Sequence, residues 1–376
     1  MHAVWHSRIL LGLFALLWAA PVLGQPEANG AFEIGECGLH TRLCIGVRSD
    51  ARPFSYKSSP PGEASSDAVR GPLRRAGYTG YMVRICDAVL AEMVLDGDPL
   101  VHLAFGDIGF YDIDKAVQAT DAAASNGASP TGRFADLGKR FDILCDPATI
   151  TNDRRDDFTV SPPLFLTGIS YITRKGAQQP DKTCADRRRS LVGLVGGTTA
   201  ATEGIRALLD AHELPKLDDA MIDFLKPVSA QGDPRPDSCG FNPAEPGFKP
   251  RIQTYKTHTA AARAFCDGEF YYLVGDLEII TANVKLVPGC DYENGTSTYT
   301  NDRYAVFGRT RPAMAGESTV DTMARELLVA RFFQIMSQKV VFNPSILDKA
   351  FGDTFLGVSP SRKLEIFFWS VRGERH

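Results

Sequence analysis

The chain has no C-x-x-C pair among its eight cysteines, and its seven histidines are scattered, which excludes a zinc site of ordinary ligand spacing. It has no basic block, and its formal charge is -4, so nothing in it suits a nucleic-acid backbone. Beyond residue 24 no apolar run reaches membrane-spanning length. There is no G-x-G-x-x-G and no phosphate-loop lysine, which removes the common nucleotide pockets. No Ser/His/Asp or Cys/His set has a spacing that supports nucleophilic catalysis, and no repeat recurs at a fixed period. Neither a cofactor nor a metal is expected.

What is present begins with the first 24 residues. One early cation, Arg8, precedes an uncharged apolar run from Ile9 to Leu23 and a small-residue exit at Gly24, the pattern of a secretory signal peptide. The run is short for a spanning helix and contains Pro21. No cysteine follows it to take a lipid. Cleavage near Gly24 would leave 352 residues with a formal charge of -5, a length suited to two domains and an exported, periplasmic product. All eight cysteines fall in that part, so up to four disulfides are expected, with Cys86–Cys145 and Cys184–Cys239 as the suggested pairs.

Strand-like and helix-like stretches then alternate. LCIGV (43–47) reads as a strand ending in the turn SDARP, and YMVRICDAVLAEMVL (81–95) has Met82, Ile85, Val89 and Met93 at helical spacing. FDIL (141–144), ISYITR (169–174), LVGLV (191–195), YYLVGD (271–276) and YAVFGR (304–309) read as strands. Helices are expected from about Thr199 to Leu209, over THTAAARAFCDGE, and from Ser318 onward. The last has Ser318 and Asp321 as a capping box, with Val320, Met323, Leu327 and Phe332 on its apolar face. The small, polar stretches between Lys57 and Gly77, within 105–132 and at 226–251 read as surface loops. The pattern implies an α/β fold with two mixed sheets facing each other across a cleft and ligands at strand ends.

Three stretches carry chemistry. In CDPATITNDRRDDF, Thr149 and Thr151 offer hydroxyls and Arg154 a planar fork suited to a carboxylate, although Asp153, Asp156 and Asp157 are equally available partners. In LVGLVGGTTAATEG, a glycine turn and Thr198 and Thr199 stand between strand and helix, an anion site or simply a cap. In GEFYYLVGDLEII, Asp276 ends a strand, where it can meet an ammonium or cap the next segment. An arginine fork, a helix N-terminus and a lone acid together would hold the head group of an α-amino acid.

The order of these stretches resembles the type II periplasmic solute-binding proteins of amino-acid ABC transporters. The resemblance is carried by GVRSDARPFSY (46–56), GYTGYMVRICDAV (77–89), FDILCDPATITNDRRDDFTVSPPLFLTG (141–168), VGLVGGTT (192–199) and GEFYYLVGD (268–276). It implies two mixed-sheet lobes joined by a hinge, lobe 1 being 25–165 with 310–376 and lobe 2 being 166–309. It further implies that Arg154 clamps the ligand carboxylate with Thr149 and Thr199, with Thr198 beside them. Asp276 would take the ammonium, and Phe54 and Tyr56 would lie in the loop that gives an aromatic wall. Arg48 stands where glutamate/aspartate-binding members carry an arginine and Arg133 lies near another, which tilts the expected ligand toward an acidic or neutral polar amino acid; surface arginines are the alternative reading.

Pro147 departs from the pattern, replacing a small hydroxyl residue, as do Tyr271 and Tyr272 before Asp276. The resemblance makes the chain a monomeric, non-enzymatic partner of an ABC-transporter permease. Three other classes stay open: a sensory binding module, a dehydratase of the cyclohexadienyl type with Glu278 as its acid, and, given Pro147 and the long loops, a degenerate scaffold that binds no small molecule.

Overall fold

The computed structural model describes residues 37–38, 41–58, 71–98, 101–115, 133–177, 190–214, 252–295, 297–313, 317–343, 345–357 and 359–371. The leader, the loop at 226–251, Cys184 and Cys239 lie outside them.

A strand with apolar side chains on both faces needs cover on both, and β1 (Leu43–Val47) is buried throughout. It pairs in parallel with β5 (Ile108–Asp112) on one side and β6 (Ile143–Thr149) on the other. Beyond β6 the sheet continues antiparallel with β14 (Asp302–Gly308), which also pairs with β7 (Thr159–Val160) and β8 (Phe165–Thr167). A small antiparallel sheet of β2 (Asp50–Ala51), β3 (Ser55–Lys57) and β4 (Tyr78–Thr79) follows β1 in the chain.

The second large sheet repeats this plan. Its order is β11 (Ile252–Tyr255), β10 (Ser190–Val195), β12 (Phe270–Asp276), β9 (Ile169–Arg174) and β13 (Tyr292–Asn294). The first three are parallel and the last two antiparallel. The fold is therefore mixed α/β with two mixed sheets, as the sequence implies. In each sheet a parallel trio sends its C-terminal ends toward the polar residues described below.

Several expectations shift in detail. The strand foreseen at 141–144 begins at Ile143 and runs on to Thr149, fully buried, through Asp146 and Pro147. Its pairing with β14 jumps register between Ala305 and Phe307, so the proline sits at an irregularity where a missing N–H is tolerated. Part of the 105–132 stretch read as loop is the edge strand β5. β14 belongs to the first sheet, although the boundary expected at 309 falls after it.

Helix Tyr81–Leu95 buries Met82, Ile85, Val89 and Met93 against the first sheet, and its Cys86 bonds Cys145 of β6. Cys37–Cys44 and Cys266–Cys290 are also paired. Helix Thr319–Phe342 carries the foreseen Ser318/Asp321 capping box. Its buried face is Leu328, Val329, Phe332, Phe333, Ile335, Met336 and Val340, whereas Val320, Met323 and Leu327 are exposed. The expected apolar face was thus misplaced over the first turns. No described helix is long and apolar enough to cross a membrane.

Candidate functional site

The polypeptide leaves β6 at Thr149, and Thr151 then caps helix Asn152–Asp157 by accepting from the Arg154 backbone N–H at 3.3 Å. That cap fixes the first turn, and with it the direction in which Arg154 leaves the chain. The guanidinium folds back to donate to the Thr149 carbonyl at 2.5 Å and lies 4.1 Å from the Phe134 ring centre. Among the described residues it makes no ion pair, so the alternative in which Asp153, Asp156 or Asp157 neutralises it is not realised. Burial, together with nearby Arg133, pushes its pKa down to about 10. A cation so placed gains from an incoming anion.

The second sheet contributes the turn after β10. The Thr198 hydroxyl donates to the Val195 carbonyl at 2.8 Å and is committed to the turn. Thr199 Oγ1 lies 3.5 Å from Thr149 Oγ1, which brings together two hydroxyls the sequence reading grouped. The helix foreseen from Thr199 starts instead at Glu203, after a single 3-10 turn.

Asp276 ends β12 and is 8% exposed. Its Oδ1 is buried with no hydrogen-bond partner, as is the Tyr304 hydroxyl. The tyrosine is near enough to act on the carboxyl electrostatically, but the contact falls short of a hydrogen bond. Burial, then Asp302 and Glu278, raise the Asp276 pKa to about 7. Asp302, held by the Thr300 hydroxyl at 2.6 Å, is itself raised by burial and lowered by Arg154. Glu278 accepts from the Thr167 hydroxyl, and burial raises its pKa. Among the described residues neither the half-buried Arg154 nor the buried Asp276 makes an ion pair, and both lie within electrostatic reach of Arg133 and Asp302.

Arg48 and Arg133 are brought into the same region, but each already holds an aspartate. Arg48 Nε donates to Asp114 Oδ1 at 2.9 Å, and Nη1 lies 3.5 Å from His258 Nε2. Burial alone would lower the Arg48 pKa; Asp114, with Asp146 and Asp50, holds it above the usual range. The other Asp114 oxygen accepts from the backbone N–H groups of Ser49 and Asp50 at 2.8 and 2.9 Å. Arg133 pairs with Asp146 and donates to the Pro147 carbonyl at 2.9 Å. His258 is pushed well below the ordinary histidine pKa by burial, with Arg48 and Arg133 adding to it.

Other placements correct the sequence reading. Phe54 is fully buried, with the rings of Tyr81, Phe165, Tyr304 and Phe355 around it at 4.8 to 6.1 Å. It is core one layer behind Tyr304 and forms no wall. Tyr56 lies under Arg52, 3.8 Å from ring centre to guanidinium. Tyr271 and Tyr272 pack in the second sheet's core region, Tyr272 against the Tyr171 ring. Asp114, Asp146, His258, Asp302 and Tyr304 were not foreseen. Asp146 alone had a signal, its place in the CDPAT segment beside Thr149.

Residues that follow β1 also meet residues that follow β11 and β12. Asp50 accepts from the Thr259 backbone N–H at 3.1 Å and from its hydroxyl, and Asn283 Nδ2 donates to the Arg52 carbonyl at 3.4 Å.

No protein-family model matches the sequence, and no curated protein matches it. Solved structures do. The arginine-, lysine-, histidine-binding protein ArtJ from the thermophilic bacterium Geobacillus stearothermophilus is 16% identical, with 86% of this chain and 99% of that one covered and a TM-score of 0.48. An ancestral arginine-binding protein bound to arginine is 17% identical over 83% and 97%, with a TM-score of 0.46. The ancestral amino acid-binding protein AncCDT-1, a precursor of cyclohexadienyl dehydratase, is 17% identical over 83% and 95%, with a TM-score of 0.43.

Proposed function

We propose that the chain is an exported solute-binding protein that captures a small α-amino acid between two lobes and hands it to an ABC-transporter permease. The observation that carries this reading is that, among the described residues, neither the half-buried Arg154 nor the buried Asp276 has an ion-pair partner, and a zwitterion would satisfy both together. The ligand carboxylate meets the Arg154 fork and the Thr149 and Thr199 hydroxyls, and the ammonium meets Asp276. The lobes follow the bounds expected from sequence, 25–165 with 310–376 and 166–309, except that β14 (Asp302–Gly308) is moved from the second to the first. Ligand charges bridge them, and closure is a hinge motion favoured by contacts complete only in the closed state.

A thermal-shift screen against the twenty amino acids, followed by calorimetry, tests the reading. A true ligand at one hundred times its dissociation constant stabilises the fold by about 2.7 kcal/mol. Arg154→Ala should cost at least about 2 kcal/mol in binding, about thirtyfold, because it removes the partner of a buried charge. Unchanged affinity in that variant rejects the assignment.

One observation favours a second reading. Glu278 accepts from the Thr167 hydroxyl, its pKa is raised by desolvation, and it lies within electrostatic reach of Asp276, the direction a dehydratase acid needs. Turnover of prephenate or arogenate, lost in Glu278→Gln, would establish it.

A further inference from the structure

Taking Arg154 and Asp276 as the head-group anchors of the proposed function, we infer that the site selects an α-amino acid whose side chain is uncharged and offers an N–H or O–H. Aspartate and glutamate are excluded, although Arg48 and Arg133 favour them when read from sequence alone.

The argument is one of paired charges. Arg48 is matched by Asp114 and Arg133 by Asp146, so neither guanidinium has charge to spare for a distal carboxylate. Asp114 is anchored by two backbone N–H groups as well as by Arg48, and cannot leave. Asp146 is wholly buried on a central strand. A ligand carboxylate that drew Arg133 away would strand that aspartate without its partner, the costly way to break a buried pair. With Arg154 and Asp276 taken up by the zwitterion, the nearby charges without an ion pair among the described residues, Asp50, Glu278 and Asp302, are all carboxylates.

The same residues say what the side chain should carry. Asp146 Oδ1 is buried with no hydrogen-bond partner, while Oδ2 is held by Arg133. Asp146 lies within electrostatic reach of Arg48, Arg133 and Arg154. An amide or hydroxyl donor from the ligand satisfies the orphaned oxygen. A lysine or arginine side chain would bring its charge against guanidiniums already there. Selection thus works partly by repulsion, through pairs that make no bond to the rejected ligand.

Calorimetry at pH 8 on the purified, oxidised protein tests this with glutamine, asparagine, serine, threonine, glutamate, aspartate, lysine and arginine. At least one uncharged ligand should bind about tenfold or more tighter than any charged one, the scale of discrimination one unpaired buried charge supplies. Asp146→Asn frees Arg133 and should move the glutamate-to-glutamine affinity ratio toward glutamate by about tenfold. Asp114→Asn, which frees Arg48, is the second variant if the first does not fold. A wild-type protein that binds glutamate, aspartate, lysine or arginine as tightly as any uncharged ligand, with binding still lost in Arg154→Ala, overturns the inference and leaves the head-group reading standing. A folded variant with an unmoved ratio also overturns it. No binding of any amino acid overturns both.

Discussion

Replacing Asp276 by asparagine should make the ligand-free protein more stable in alkaline solution and leave it unchanged in acid. Burial raises this carboxyl from 3.8 to about 7. In the window between those values the folded chain keeps a proton that the unfolded chain has lost. Folding stability therefore falls as pH rises through it, and the loss is complete above about pH 7. Three pKa units at 1.36 kcal/mol each set the scale at about 4 kcal/mol. Asparagine has the shape of the protonated acid and carries no charge at any pH, so it removes this term. Urea denaturation of both proteins without ligand at pH 4, 6 and 8 should give curves that coincide at pH 4 and separate at pH 8, with the variant ahead by about 2 to 4 kcal/mol. Equal separation at all three values, or a wild-type protein that is the more stable at pH 8, would refute the reasoning. The sign reverses for ligand binding. An ammonium group needs the carboxylate, so wild-type affinity should rise about tenfold per pH unit up to about pH 7 and then level off. Asp276→Asn should bind weakly at every pH.

Two further perturbations test the frame that holds the site. Replacing both Cys86 and Cys145 by alanine opens a link across 59 residues between helix Tyr81–Leu95 and β6, and should cost up to about 4 kcal/mol in urea denaturation under oxidising conditions. Gly193 of β10 has no room for a methyl group: a Cβ there would stand 2.3 Å from the Phe270 ring. Gly193→Ala should therefore destabilise by about 1 to 3 kcal/mol through overpacking, read as a lower urea midpoint with an unchanged slope.

Elements with one strong local signal were legible in the sequence. Leu43–Val47, Tyr81–Leu95 and Ile169–Arg174 fall where apolar spacing put them, and the Ser318/Asp321 box caps its helix as read. β6 was cut short because Asp146 and Pro147 speak locally against a strand, while the strand's neighbours and an irregular register absorb them. Phe54 misled for a related reason: a loop position says nothing of depth, and four aromatic rings from distant segments decide it. The arginines were visible, but their state was not. Asp114 lies 66 residues from Arg48, and only the fold shows that the two neutralise each other.

The place of β14 has a consequence for how the protein is made. It lies between β6 and β7, yet it is synthesised after the whole segment from Ile169 to Thr300 that builds the second sheet. Until residues 302–308 are available to fold, the buried strand β6 has an open edge toward that gap, and β8 has no strand to pair with. The second sheet has all five of its strands before that moment. It can close as a unit while the first waits, so the half of the molecule that begins the chain is the half completed last. An unpaired edge of this kind is a template for another chain. The interval between the synthesis of β6 and the arrival of β14 is thus when the nascent protein is most open to aggregation.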